Sequence, residues 1–169
     1  MLLVSILAVA MLATPAMAEP TKGQKVPVRF RAVGYYSYEG EDYSDYTNNG
    51  GIRIRKNLIV VYDPLELIFL DGGPTLVGIA TINVDSTSNL DKGTQIAHYD
   101  AVVLFETPEG EGGFKGEMLA HHKNMRTPEW TLDWHFVLQG FGAFEGQTLQ
   151  IRLNGPYPGS QALGYLLKP

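Results

Sequence analysis

The chain contains no cysteine. That absence excludes a disulfide framework, a thiolate nucleophile and any cysteine-ligated metal. Positive charge is also scarce: 13 Lys and Arg face 18 Asp and Glu, leaving a net charge of −5. A phosphate-binding face needs the opposite balance, so nucleic acid is not an expected partner. No Ser-His-Asp arrangement stands out, and single serines read as turn formers. Helical periodicity is missing beyond the first eighteen residues. What remains is a chain of 169 residues, 44% hydrophobic and 18% charged, with room for one domain and one sizeable core. Nine Tyr and seven Phe favour strands, because broad rings pack well on a pleated surface.

The first eighteen residues, MLLVSILAVAMLATPAMA, are apolar and uncharged and end in the small-x-small pattern Ala16-Met17-Ala18. They read as a signal peptide, short for a membrane helix, which needs roughly 20 residues. An uncleaved N-terminal anchor is the alternative. Residues 19–169 are then the folded domain of a secreted or otherwise extracytoplasmic protein, with no stable membrane span after cleavage.

Along that domain, short alternating runs recur between Gly, Pro, Asn and Asp, the signature of a sandwich or barrel. Val26, Val28, Phe30 and Ala32 alternate with Pro27, Arg29 and Arg31; Ile52 and Ile54 alternate with Arg53 and Arg55 before the run Leu58 to Tyr62. Further strands are expected over Leu76–Val84, Thr94–Phe105, Phe114–His122, Leu132–Leu138, Leu149–Leu153 and Leu163–Leu167. That makes about eight, the number whose closed sheet leaves room for side chains or one small ligand. Segment 37–51 is polar, acidic and tyrosine-rich, and reads as a long surface loop between the first two strands. Calcium or sugar binding there is weighed against an acidic solvated loop; the ordered spacing of a calcium loop is absent.

Residues 138–153 read as strand, glycine-rich corner and strand, with Phe144 plugging the corner. Gly140-x-Gly142 is no nucleotide fingerprint: Glu145 occupies the third glycine position, and no helix follows to hold a pyrophosphate. The string Gly140-x-Gly142-x-Phe144-Glu145-Gly146, followed by Gln150-Ile151-Arg152-Leu153, resembles the corresponding hairpin of allene oxide cyclases. Dirigent proteins, which share that barrel, carry a looser version. Over about 14 residues, the resemblance implies a single eight-stranded antiparallel β-barrel with a central cavity, often trimeric in the family. A homo-oligomer is therefore one expectation. The activity does not carry over. Plant cyclases use a carboxylate near the N-terminus and a cavity cysteine, and this chain has no cysteine and no acidic cluster that aligns with that region. No catalytic residue is assigned.

His98-x-Asp100 and Asp133-x-His135 each place an imidazole and a carboxylate on one strand face, a pattern that would serve a metal or an acid–base pair. Asp133 and His135 oppose the apolar stripe Leu132, Trp134, Phe136 and Leu138, so they are expected in water, and no metal or cofactor is expected. His121 and His122 point to opposite faces, and His122 falls on the face of Met118 and Ala120. The leading expectation is a non-enzymatic barrel that holds a small apolar or aromatic ligand. Its lining would come from Phe30, Tyr99, Val103, Phe105, Met118, Trp134 and Phe136, unless these simply fill the barrel. A cyclase- or isomerase-type enzyme and a surface interaction protein are the alternatives.

Overall fold

The period-2 runs form strands. The computed structural model describes residues 23–156 and 162–169, so the signal-peptide reading lies outside the described residues. Among the described residues nine strands follow one another: β1 (Gln24–Ala32), β2 (Tyr35–Thr47), β3 (Ile52–Phe69), β4 (Leu76–Asn89), β5 (Thr94–Thr107), β6 (Gly110–Lys123), β7 (Thr131–Gly142), β8 (Thr148–Pro156) and β9 (Ala162–Lys168). Among the described residues there is no helix.

Eight of these strands close into an antiparallel barrel in the order β1-β9-β8-β7-β6-β5-β4-β3, with β1 completing the ring. Strand β1 pairs with β9 from Gln24↔Lys168 to Phe30↔Ala162, and with the far half of β3 from Val28↔Phe69 to Ala32↔Leu65. Closure pairs those strands on both sides over most of their length. Strand β2 is extra. It continues the line of β1 along the first half of β3, from Tyr35↔Tyr62 to Thr47↔Arg53.

Strand β2 overturns the loop expected over 37–51. Only residues 48–51 turn; there the Asn48 side-chain oxygen accepts from the amides of Gly50 and Ile52, both at 3.0 Å. The composition misleads because β2 is solvated on both faces and has a strand neighbour on one side only, so it carries charge where a buried strand would carry aliphatics. Its tyrosines suit the pleat, and Tyr36 stacks beside Tyr38 with ring centroids 6.4 Å apart.

The interior is the apolar side. Along β4 to β8 the buried positions alternate with exposed ones, as in Ala97, Tyr99, Ala101, Val103 and Phe105. Outward positions mix Val77, Ile79 and Leu104 with Lys115, Glu117, Asp133 and Arg152. A membrane-spanning barrel has the reverse distribution, a polar lumen inside an apolar band.

The two ends of the barrel differ. One is plugged by Phe105, Phe114 and Phe144, with centroids 4.8 to 6.5 Å apart, over Leu67, Leu138, Leu149 and Leu166. Phe144 stands in the tight β7–β8 hairpin, as its place in the glycine-rich corner implied. Gly140 is obligatory there: a Cβ on it would sit 1.9 Å from the Phe144 carbonyl oxygen. At the other end, β9 starts opposite Phe30, and β8 runs past it to Pro156. Among the described residues no ladder joins β8 to β2, so the wall is unzipped at this end.

Candidate functional site

An apolar cavity of about 210 Å³ lies inside the unzipped half. Phe30, Tyr62, Trp134 and Phe136 supply aromatic wall, and Leu65, Ile82, Val103, Leu132, Leu138, Ile151 and Leu153 supply aliphatic wall. Ala32, Ala80, Ala101 and Ala162 leave the room. Ala80 and Ala101, on β4 and β5, are buried, whereas Ala32 and Ala162, on β1 and β9, border the cavity at more exposed positions.

A second cavity of about 150 Å³ adjoins it and shares Tyr62, Ile82 and Trp134 as common wall. Its character is different: Arg55, Ser86 and Gln95 line it beside Tyr99, Met118 and further aliphatics. The polar residues get there through a bulge. Arg55 pairs with Ser86, but the next register pair is Leu58 with Val84, so β3 spends one extra residue and its inward parity changes. Before the bulge the arginines face in with the buried Ser86 and Ser88; after it Leu58, Val60 and Tyr62 do.

Asp45, on β2, sits opposite Arg55. Arg53 grips it with both nitrogens, Nε donating to Oδ1 at 2.7 Å and Nη2 donating to Oδ2. Tyr43 donates its hydroxyl to the same carboxylate at 3.2 Å. Arg55 reaches Asp45 only through Nε at 3.4 Å. These hydrogen bonds, those of Arg53 first, hold the Asp45 carboxyl well below the usual aspartate range. Within this set of contacts two guanidinium groups thus face one carboxylate.

The Tyr99 hydroxyl lies 3.3 Å from His122 Nε2 in a buried contact. Burial pushes the imidazole down to about 4, with the charge of neighbouring His121 adding a smaller push, so His122 is neutral at pH 7. Trp130 and Trp134 flank it, with centroids at 6.1 and 6.5 Å. The Trp134 Nε1–H is buried without an acceptor among the described residues.

Of the lining residues expected from sequence, Phe30, Val103, Trp134 and Phe136 border the apolar cavity, and Tyr99 and Met118 border the polar one beside Trp134. Phe105 borders neither; it is 1% exposed and packs into the aromatic plug. Alternation put it on the inward face correctly but could not say at which end of the barrel. The alanines, Tyr62, Arg55, Ser86 and Gln95 were missed: small residues announce no wall, and the arginines depend on the bulge. The histidine–aspartate pairs lie outside the barrel in water. His98 contacts Glu117 at 3.3 Å, and Asp133 contacts Arg152 at 3.5 Å. Strand β6 separates the two pairs, with Leu119 paired to both His98 and His135. The two imidazoles are then roughly 10 Å apart across two strand spacings. Among the described residues no three His, Asp or Glu side chains gather as a metal site.

No known protein family, curated protein or solved structure matches the chain. The eight-stranded antiparallel barrel is compatible with the family whose hairpin residues 140–153 resemble.

Proposed function

We propose that the protein is an exported, non-enzymatic barrel that holds a small apolar or aromatic ligand in its interior, and that it belongs with the allene oxide cyclase-like barrels. The observation that carries this reading is the apolar cavity of about 210 Å³, walled by aromatics and lying behind an unzipped mouth. Aromatic walls with a few convergent polar groups are the usual make-up of a small-molecule site. The hairpin string and the barrel's strand number support the family. Both cavities are walled mainly by apolar and aromatic side chains, the make-up of a binding site, and this favours binding over a cyclase or isomerase.

Trp134 borders both cavities, and the chain has only one other tryptophan. Titration with a neutral aromatic probe, naphthalene-1-carboxamide, should therefore shift the tryptophan emission saturably. The Ala101→Leu variant should lose that response. Native mass spectrometry of the protein purified from its own cells should show a bound small molecule. A wild-type chain that gives no saturable shift and carries nothing would overturn the reading.

A further inference from the structure

We infer that the ligand is a compact aromatic monocarboxylic acid, with its ring against Trp134 and Tyr62 and its carboxylate on Arg55. The inference rests on the ligand-binding reading and adds the ligand's charge, size and anchor.

The charge follows from how the mouth is wired. Asp45 is committed to Arg53, which holds both its oxygens. Among the described residues Arg55 is left with a single 3.4 Å contact from Nε, and its side chain is only 26% exposed at the wall of the polar cavity. A guanidinium presents a planar fork that matches a carboxylate with two parallel N–H donors. With solvent partly excluded, its attraction for an anion exceeds that of a surface arginine. One surplus positive charge suits a monoanion and leaves a dianionic phosphate half uncompensated. Trp134 Nε1–H, buried and without an acceptor among the described residues, adds a second donor between the two cavities.

The size follows from the volumes. A liquid water occupies about 30 Å³, so the apolar cavity of about 210 Å³ holds the bulk of about seven water-sized groups. The adjoining 150 Å³ has room for a carboxylate and its water. The aromatic plug stops a longer chain from threading through the barrel. One or two fused rings fit this space, and a long-chain fatty acid overfills it.

The test compares 1-naphthoate with its uncharged counterpart naphthalene-1-carboxamide by tryptophan emission and calorimetry on the whole chain. Wild type should bind the acid at least tenfold tighter than the amide, with the gap narrowing as salt rises. Arg55→Gln should erase the gap by weakening the acid alone. Asp45→Asn removes the competing carboxylate and should tighten the acid severalfold while leaving the amide unchanged. This opposite-signed variant decides the matter even where Arg55→Gln fails to fold. Equal binding of acid and amide by wild type would overturn the inference and leave the ligand-binding reading standing. Binding of neither probe would overturn both. Octadecanoate displacing naphthoate at lower concentration would refute the compact ligand.

Discussion

Enlarging an alanine is the sharpest test of the interior, because its sign depends on where the alanine stands. Ala101 is 1% exposed and borders the apolar cavity. Ala97 is equally buried on the same strand and the same face, yet borders neither cavity, and its register partner Ala120 is likewise enclosed. Ala101→Leu adds three carbons to empty apolar space. At about 0.8 kcal/mol per buried methylene the gain is roughly 2.4 kcal/mol. Fixing the new rotamers costs about 0.5–1 kcal/mol, so the variant should be about 1.5 kcal/mol more stable than wild type. Ala97→Leu has nowhere to put the same atoms and should lose about 1–3 kcal/mol through overpacking. Urea unfolding monitored by far-UV circular dichroism measures both, and unchanged slopes would show that the comparison is of like with like. The same Ala101→Leu protein should no longer take up the aromatic probe. Should Ala101→Leu destabilise as much as Ala97→Leu, or bind the probe at full affinity, the cavity argument fails.

Further outcomes follow from four other residues. The buried His122 stays unprotonated down to about 4, so between pH 6.5 and 4 the unfolded chain takes a proton that the native one refuses. Stability should therefore fall as pH is lowered through that window, by about 1–2 kcal/mol once solvent near the mouth is discounted. Urea melts at steps of pH should show this slope, and His122→Asn should flatten it. Phe144→Ala removes the ring that ties Phe105 to Phe114 and should cost about 3–5 kcal/mol, read as a lowered urea midpoint. Gly113→Ala would put a Cβ 1.9 Å from the Val103 carbonyl oxygen and force β5 from β6, costing about 2–3 kcal/mol. Gly146→Ala meets its nearest atom only at 4.0 Å and bears just the strain of φ +78°, so about 1–2 kcal/mol is expected. Thermal melts that reverse the order of these two glycine variants would refute the contact geometry.

The barrel was legible in the sequence because most strands obey one rule. In β5 through β8 most second residues are apolar and buried, and the expected and observed strands coincide to within a few residues. The β7–β8 hairpin was legible for a second reason: its glycines and Phe144 specify a corner chemically. Strand β2 was not legible, because a strand with water on both faces has no period to display. Strand β9 shows a third case. Leu163 and Tyr165 are conspicuous in the sequence yet are the exposed face, while Ala162, Gly164 and Leu166 turn inward. The small inward residues let β9 pass close to β8; a Cβ on Gly164 would sit 1.9 Å from the Gln150 carbonyl oxygen.

Strand β3 explains why the site was harder to read than the fold. Ile52 and Ile54 alternate with Arg53 and Arg55, and hydrophobicity alone would turn the isoleucines inward. The ladder decides otherwise, because Arg53 and Arg55 pair with Ser88 and Ser86, which are themselves buried. One inserted residue at the bulge then lets the same strand turn Leu58, Val60 and Tyr62 inward beyond it. Asn57 fixes the bulge from both sides: its amide donates to Asp85 at 2.9 Å, and its side-chain oxygen accepts from Asn83 at 3.3 Å. Asn57 also adopts φ +54°, a conformation asparagine tolerates better than most residues. A polar end and an apolar middle on one strand are what a barrel needs to hold a body and a charged group at once. The information was in the sequence, but as a change of parity at Lys56-Asn57, which only the pairing partner on β4 makes visible.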